Sequence, residues 1–91
     1  MRDTTNYYIK VNYDMLMDPK IMHLEGTLGN EGFGIYFKFL IDLHRNGGKI
    51  SYNCKQLSYA FHCKEELISS IVNDYELFYV EDGFIRSKGE R

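Results

Sequence analysis

Apolar residues along this chain recur in short periodic groups, and each group predicts one helix or strand. The first group, at spacings of three and four, consists of Ile21, Leu24 and Leu28. Asp18 ahead of it is a residue type that caps helices, and Pro19 suits the first helical position. Gly29 supplies a left-handed stop. We therefore predict a first helix at about residues 19–28.

A second and denser apolar group predicts a central helix. Its members are Phe33, Ile35, Tyr36, Phe37, Phe39, Leu40, Ile41 and Leu43. A helix that is apolar on most sides is typically buried in the middle of a domain. Asn30 can cap its start, and Gly47-Gly48 ends it.

Residues 49–52 predict a short strand, and two short helices follow at about 54–62 and 64–75. Asn53 can cap the first of them. The apolar stripe of the second is formed by Leu67, Ile68, Ile71, Val72 and Tyr75. Two short helices joined this closely are typical of a helix-turn-helix.

The dipeptide Asp82-Gly83 between two apolar runs predicts a β-hairpin with a type I′ turn. The predicted strands are residues 77–81 and 84–87. The predicted cross-strand pairs are Val80 with Ile85 and Tyr79 with Arg86. Further upstream, residues 7–13 alternate between apolar and polar side chains, which predicts a short strand or extended arm with one apolar face.

The predicted order is strand, helix, helix, strand, helix, helix, strand, strand. It indicates an α+β fold, a small winged-helix domain consisting of a helix-turn-helix and a β-hairpin wing, with an N-terminal extended arm. We expect one domain at residues 7–87. Residues 1–6 are expected to be a flexible or disordered N-terminus, and residues 88–91 the start of a C-terminal linker.

Two segments, Asp18-Pro19-Lys20-Ile21 and the run from Leu28 to Tyr36, resemble an N-terminal domain family of phage and prophage replication-associated proteins. The resemblance covers residues 7–87, and the family is a domain of unknown function. It looks related to the winged-helix domains of DnaD-like primosome proteins. The resemblance implies a non-catalytic module that is DNA-associated in replication initiation or primosome assembly. It implies self-association equally, because the related DnaD-like domain is associated with oligomer formation.

The charge balance limits how such a module could bind DNA. Eleven basic and thirteen acidic residues give a net charge of −2, which disfavours binding by bulk electrostatics. A local basic and aromatic surface on the wing is the alternative, and it suits single strands. The candidate residues are Lys49, Lys55, Arg86 and Lys88 for phosphates, and Tyr79 and Phe84 for base stacking.

A protein–protein interaction or oligomerisation domain without direct DNA contact is the other hypothesis. The predicted helix at 64–75 begins with Glu65-Glu66 and exposes few cations, so it is a poor surface for phosphates. The arm at 7–13 has an apolar face that needs covering. The expected partners are therefore DNA, replication proteins or a second copy bound through the arm.

The remaining chemistry-bearing residues predict no catalytic, cofactor or metal site, and we expect no enzyme activity. The glycine spacing around Gly32 lacks the preceding strand of a dinucleotide-binding motif. Cys54, His62 and Cys63 do not have zinc-ligand spacing. Two cysteines suit a reducing cytoplasm, and no segment has the length of a signal peptide core or a membrane span. We expect a cytoplasmic protein that does not contact membranes.

Overall fold

The computed structural model describes residues 11–88, which form an α+β fold of three helices and a small three-stranded antiparallel sheet. A short 3₁₀ helix, Met15–Met17, precedes the first α-helix. The helices are α1 (Pro19–Arg45), α2 (Cys54–Phe61) and α3 (Glu65–Asn73). The strands are β1 (Ile50–Ser51), β2 (Phe78–Glu81) and β3 (Phe84–Ser87).

Helix α1 contains the two helices that the sequence predicts, separated at Gly29. The backbone of Gly29 has φ 74° and ψ −167°, which interrupts the helical conformation. The Asp18 carboxylate accepts a hydrogen bond of 2.9 Å from the Lys20 amide, and Pro19 occupies the first turn. The predicted cap and the predicted break are therefore both confirmed.

Helices α2 and α3 follow the predicted pattern with shifted ends. The Asn53 side chain accepts from the Gln56 amide at 3.0 Å, which confirms the predicted cap. His62 ends α2 in left-handed backbone with φ 62°. The prediction for α3 was too long, because the helix ends at Asn73. Tyr75 is buried in the turn after the helix, so its apolar spacing extended the predicted helix beyond its true end.

The hairpin has the predicted register and turn. Strand β3 lies in the middle of the sheet, in the order β1-β3-β2. Tyr79 pairs with Arg86 and Val80 pairs with Ile85, as predicted. The turn residues Asp82 and Gly83 have φ values of 55° and 80°, and positive φ at both central positions is what a type I′ turn requires. The predicted strand at 49–52 is reduced to the two residues of β1.

The core lies between α1, α3 and one face of the sheet. Its fully buried side chains are Phe39, Leu24, Ile68, Ile71, Ile85 and Val72. The Phe39 ring packs 5.1 Å from the Phe61 ring and 5.2 Å from the Phe78 ring. The second part of α1 is less enclosed than predicted, because Ile41 is 42% exposed. The sheet and the short helices cover only part of its circumference.

The N-terminal arm is only partly within the described residues. Residues 7–10 of the predicted strand lie outside them, as do the predictions for residues 1–6 and 89–91. Residues 11–13 are not a strand, since the chain there turns toward the 3₁₀ helix. Val11 is 50% exposed and Tyr13 is fully exposed. Among the helices of residues 11–88, none is long and apolar enough to cross a membrane.

Candidate functional site

The outer face of the sheet carries most of the predicted DNA-binding residues. Strand alternation places Tyr79, Glu81, Phe84 and Arg86 on the face opposite the buried Phe78 and Ile85. Lys49 lies directly before β1, and its ammonium group is 4.4 Å from the centre of the Phe84 ring. We call Lys49, Tyr79, Glu81, Phe84 and Arg86 the outer sheet face. It brings together four of the six predicted residues.

The charges of the outer sheet face are partly compensated. Arg86 Nε lies 3.8 Å from Glu81 Oε1, across the hairpin. Both side chains are largely solvent-accessible, at 40% and 62%, so water and salt weaken this ion pair. Lys49 stacks over Phe84 in a cation–π contact. Tyr79 is 39% exposed, and it is the more accessible of the two aromatic residues.

The other two predicted cations lie elsewhere. Lys55 is in the first turn of α2 and lines a shallow cavity of about 460 Å³ together with Tyr59. Lys88 follows β3 at the base of the hairpin, where its amide donates to the Leu77 carbonyl at 3.0 Å. The outer sheet face lines neither cavity in which these lysines lie. Lys55 and Lys88 therefore do not share a cavity with each other.

The exposed side of α3 is acidic and internally hydrogen-bonded. Its first turn carries Glu65 and Glu66, both exposed. Asn73 Nδ2 donates to the Tyr52 hydroxyl at 3.0 Å, and Ser70 Oγ donates to Asp74 Oδ2 at 3.1 Å. Most polar groups of α3 that could contact base edges thus already form hydrogen bonds within the protein. This surface is poorly suited to phosphates, as the sequence predicts.

A second polar cavity, of about 290 Å³, lies beside the start of α1. Its polar lining residues are Asp18, Lys20, Tyr36, Glu76, Ser87 and Lys88. We call it the α1 cavity. The sequence predicts Lys88 as a site residue, but it does not predict the other residues that line this cavity with Lys88. The position of Lys20 was a usable signal, because cations are disfavoured in the first turn of a helix unless another role retains them.

Two side chains have shifted proton affinities. Burial, helped by the charge of Asp18, raises the pKa of Tyr36 to about 12. Burial and the charge of Glu31 raise the pKa of the Cys63 thiol, while Lys38 lowers it. Both groups are therefore protonated at neutral pH, so neither is an activated nucleophile or base. Within residues 11–88, no three His, Cys, Asp or Glu residues are grouped so that they could hold a metal ion.

The described part of the chain is thus a small α+β domain with a three-stranded antiparallel sheet. Residues 8–89 match the family described as Lin1244/Lin1753-like, N-terminal. The chain therefore belongs to this domain family. The match confirms that one domain family covers nearly all of the sequence, as the resemblance implies. Neither the curated proteins nor the solved structures contain a match to the chain.

Proposed function

We propose that this chain is a non-catalytic winged-helix module that contacts DNA for a phage or prophage replication-associated protein, in replication initiation or primosome assembly. The order of its elements supports the winged-helix assignment. Helices α2 and α3 follow one another as in a helix-turn-helix. The hairpin returns so that β3 lies between β1 and β2, which is the arrangement of a wing packed beside the first strand.

The outer sheet face is the observation that carries the DNA proposal. It combines two cations, Lys49 and Arg86, with the rings of Phe84 and Tyr79. Cations that follow a backbone beside aromatic rings that stack on bases are typical of single-strand binding. The acidic exposed side of α3 disfavours insertion of that helix into a major groove. We therefore expect contact through the sheet and a preference for single strands.

Fluorescence anisotropy with labelled single- and double-stranded oligonucleotides tests this proposal. We expect single strands to bind more tightly, and binding to weaken as salt rises. Replacing Lys49 and Arg86 together by alanine removes both cations of the outer sheet face, and we expect it to lower affinity at least tenfold. Lys64→Ala is the matched control, because Lys64 is an exposed cation beside α3.

The control should leave DNA affinity within about twofold of the unsubstituted chain, given the small effect expected of one remote surface charge. An absence of salt-dependent binding to either oligonucleotide would contradict the DNA proposal. Binding that tolerates the double substitution but is lost with Lys64→Ala would place the contact on α3 and overturn the outer sheet face as the site.

Self-association is a second candidate, favoured by exposed apolar side chains in the 3₁₀ helix and the first turn of α1. Leu16, Met17 and Met22 are 51%, 72% and 53% exposed. Flexible methionines on a surface suit protein interfaces, and this region adjoins the arm through which the sequence predicts a homo-oligomer. The partner that we propose for this apolar surface is a second copy of the chain.

Light scattering over a concentration series tests self-association. We expect a concentration-dependent increase in mass that Met17→Ser with Met22→Ser abolishes. Tyr59→Ser is the control, because Tyr59 is 85% exposed on α2, away from the start of α1. A monomer at every concentration would exclude this candidate, and loss of association in the control alone would assign it to another surface.

A further inference from the structure

The α1 cavity has the size and lining of a small-ligand site. Its volume of about 290 Å³ is close to the lower end of the range for such pockets, roughly 300–1,000 Å³. Lys20 from α1 and Lys88 from the end of β3 both line it. The cavity therefore joins cations from two elements that are far apart in the sequence.

Tyr36 is the buried polar group of this cavity. The residue is only 6% exposed, and its ring packs 5.6 Å from the Phe78 ring. Its hydroxyl has no hydrogen-bond partner among residues 11–88. In that range, every side-chain oxygen or nitrogen that is sealed from solvent has a hydrogen-bond partner. The Tyr36 hydroxyl therefore opens into the cavity that its residue lines.

The position of this hydroxyl is further constrained by Asp18. The charge of Asp18 acts on the Tyr36 hydroxyl, and Asp18 itself forms part of the cavity wall. Asp18 is also the N-cap residue of α1, so the cavity borders the start of the helix, where the dipole is positive. Because the hydroxyl is not sealed from solvent, water can accept its hydrogen bond, and a ligand oxygen that accepts a hydrogen bond there would replace that water.

We propose that the α1 cavity binds a phosphate group, either the phosphate of a free nucleotide or a backbone phosphate of a DNA strand. Lys20 and Lys88 supply positive charge, and the Tyr36 hydroxyl donates a hydrogen bond to a phosphate oxygen. Asp18 already accepts from the Lys20 amide at the start of α1, so the helix end adds only a partial positive charge beside the two lysines. This site is separate from the outer sheet face, and phosphate binding here does not depend on DNA binding there.

Two carboxylates oppose the binding of an anion in this cavity. Asp18 accepts from the Lys20 amide at 2.9 Å and lies 4.0 Å from the Lys20 ammonium, so its charge is partly compensated. Glu76 is exposed, and its side chain has no ion pair within residues 11–88. Its backbone is left-handed, with φ 59°. Glu76 should therefore weaken phosphate binding, and removing its charge should strengthen it.

Titration of the ¹⁵N-labelled chain with inorganic phosphate, followed by NMR, tests the site. We expect saturable shifts of the amides of Ile21, Leu77 and Lys88. Tyr36→Phe should weaken binding about fivefold to tenfold, the value of one hydrogen bond. Glu76→Gln should strengthen binding at constant pH, whereas Lys88→Ala should weaken it. Tyr59→Phe is the matched control and should leave the affinity unchanged, because Tyr59 is exposed on α2.

Parallel titrations with deoxyadenosine monophosphate and with a single-stranded oligonucleotide distinguish the two sources of phosphate. The cavity binds the ligand that shifts the same amides and for which Tyr36→Phe lowers the affinity. The absence of saturable shifts with inorganic phosphate would overturn the inference, as would shifts that Tyr36→Phe leaves unchanged. The proposed function is tested separately. If the cavity binds no phosphate but Lys49→Ala with Arg86→Ala still abolishes oligonucleotide binding, the inference about the cavity is wrong and the proposed function stands.

Discussion

The Lys38 ammonium donates a hydrogen bond of 3.1 Å to the carbonyl oxygen of Phe61, the last residue of α2. A cation at this position interacts favourably with the negative end of the helix dipole. The contact joins the middle of α1 to α2, at the point where the chain turns toward α3. It therefore helps to set the orientation of the α2–α3 pair against the rest of the domain.

Replacing Lys38 by methionine should destabilise the domain. The substitution retains most of the apolar stem and removes the charged donor, so we expect the free energy of unfolding to fall by about 1 kcal/mol. Urea denaturation measures the change. Lys64→Met is the control, since the Lys64 side chain has no hydrogen bond or ion pair within residues 11–88. Equal losses in the two variants would contradict a specific role for the Lys38 contact.

Gly29 and Gly34 should respond in opposite directions to alanine. An added methyl group meets no atom within 4 Å at either position, so only the backbone differs. Gly29 has φ 74° and ψ −167°, a conformation that is essentially restricted to glycine, and Gly29→Ala should cost about 1–3 kcal/mol. Gly34 is helical, and Gly34→Ala should stabilise by about 0.5–1 kcal/mol.

Thermal unfolding of both glycine variants, compared with the unsubstituted chain, separates these effects. Gly32→Ala provides a third comparison, because its new methyl group would overlap the Leu28 Cβ atom. We expect that variant to be destabilised by crowding, although Gly32 has ordinary helical backbone. Stabilisation by Gly29→Ala would show that α1 does not need its interruption.

Stability should decline at alkaline pH through Tyr36. Its pKa is about 12 in the folded chain, against 10.0 for an ordinary tyrosine. Below pH 10 both states hold the proton; between pH 10 and 12 the unfolded chain releases it first, so folding becomes less favourable as pH rises. Urea midpoints at pH 9 and pH 11 measure the decline. Tyr36→Phe should show a smaller decline, and an identical decline would exclude Tyr36 as its source.

Cys63 should react slowly with thiol reagents in the folded protein. Its pKa is raised by burial and by Glu31, so little thiolate is present at neutral pH. In a Cys54→Ala variant, iodoacetamide should modify Cys63 more slowly than it modifies N-acetylcysteine. Lys38→Met should slow the reaction further, because Lys38 lowers this pKa. Unfolding in urea should abolish the difference, and a rate in the folded chain equal to that of the free thiol would contradict the prediction.

The parts of the fold that depend on neighbouring residues were predictable from the sequence. Asp18 and Asn53 cap helices with their own side chains, and the Asp82-Gly83 turn determines the hairpin register. These preferences act over a few positions and are the same in any fold. Tyr75 shows where the approach fails, because its burial comes from tertiary packing and not from a place in a helix.

The candidate sites were less predictable, because they combine elements from different parts of the chain. The alternation of β3 was sufficient to place Phe84 and Arg86 on one face. Lys88 is predicted to share a basic surface with Arg86, yet it lines the α1 cavity together with Lys20, at the start of α1. Only the three-dimensional packing of α1 against the base of the hairpin brings those two lysines to the same cavity.

The pairing of β1 with β3 has a consequence for the order of folding. The hairpin strands are joined by a two-residue turn. Ile50 and Ile85, which pair between β1 and β3, are separated in the sequence by both α2 and α3. Closing the longer loop costs more chain entropy and slows contact formation. We therefore expect the hairpin and the α2–α3 pair to form early. The addition of β1, which completes the sheet and brings Lys49 over Phe84, is expected to be the late step.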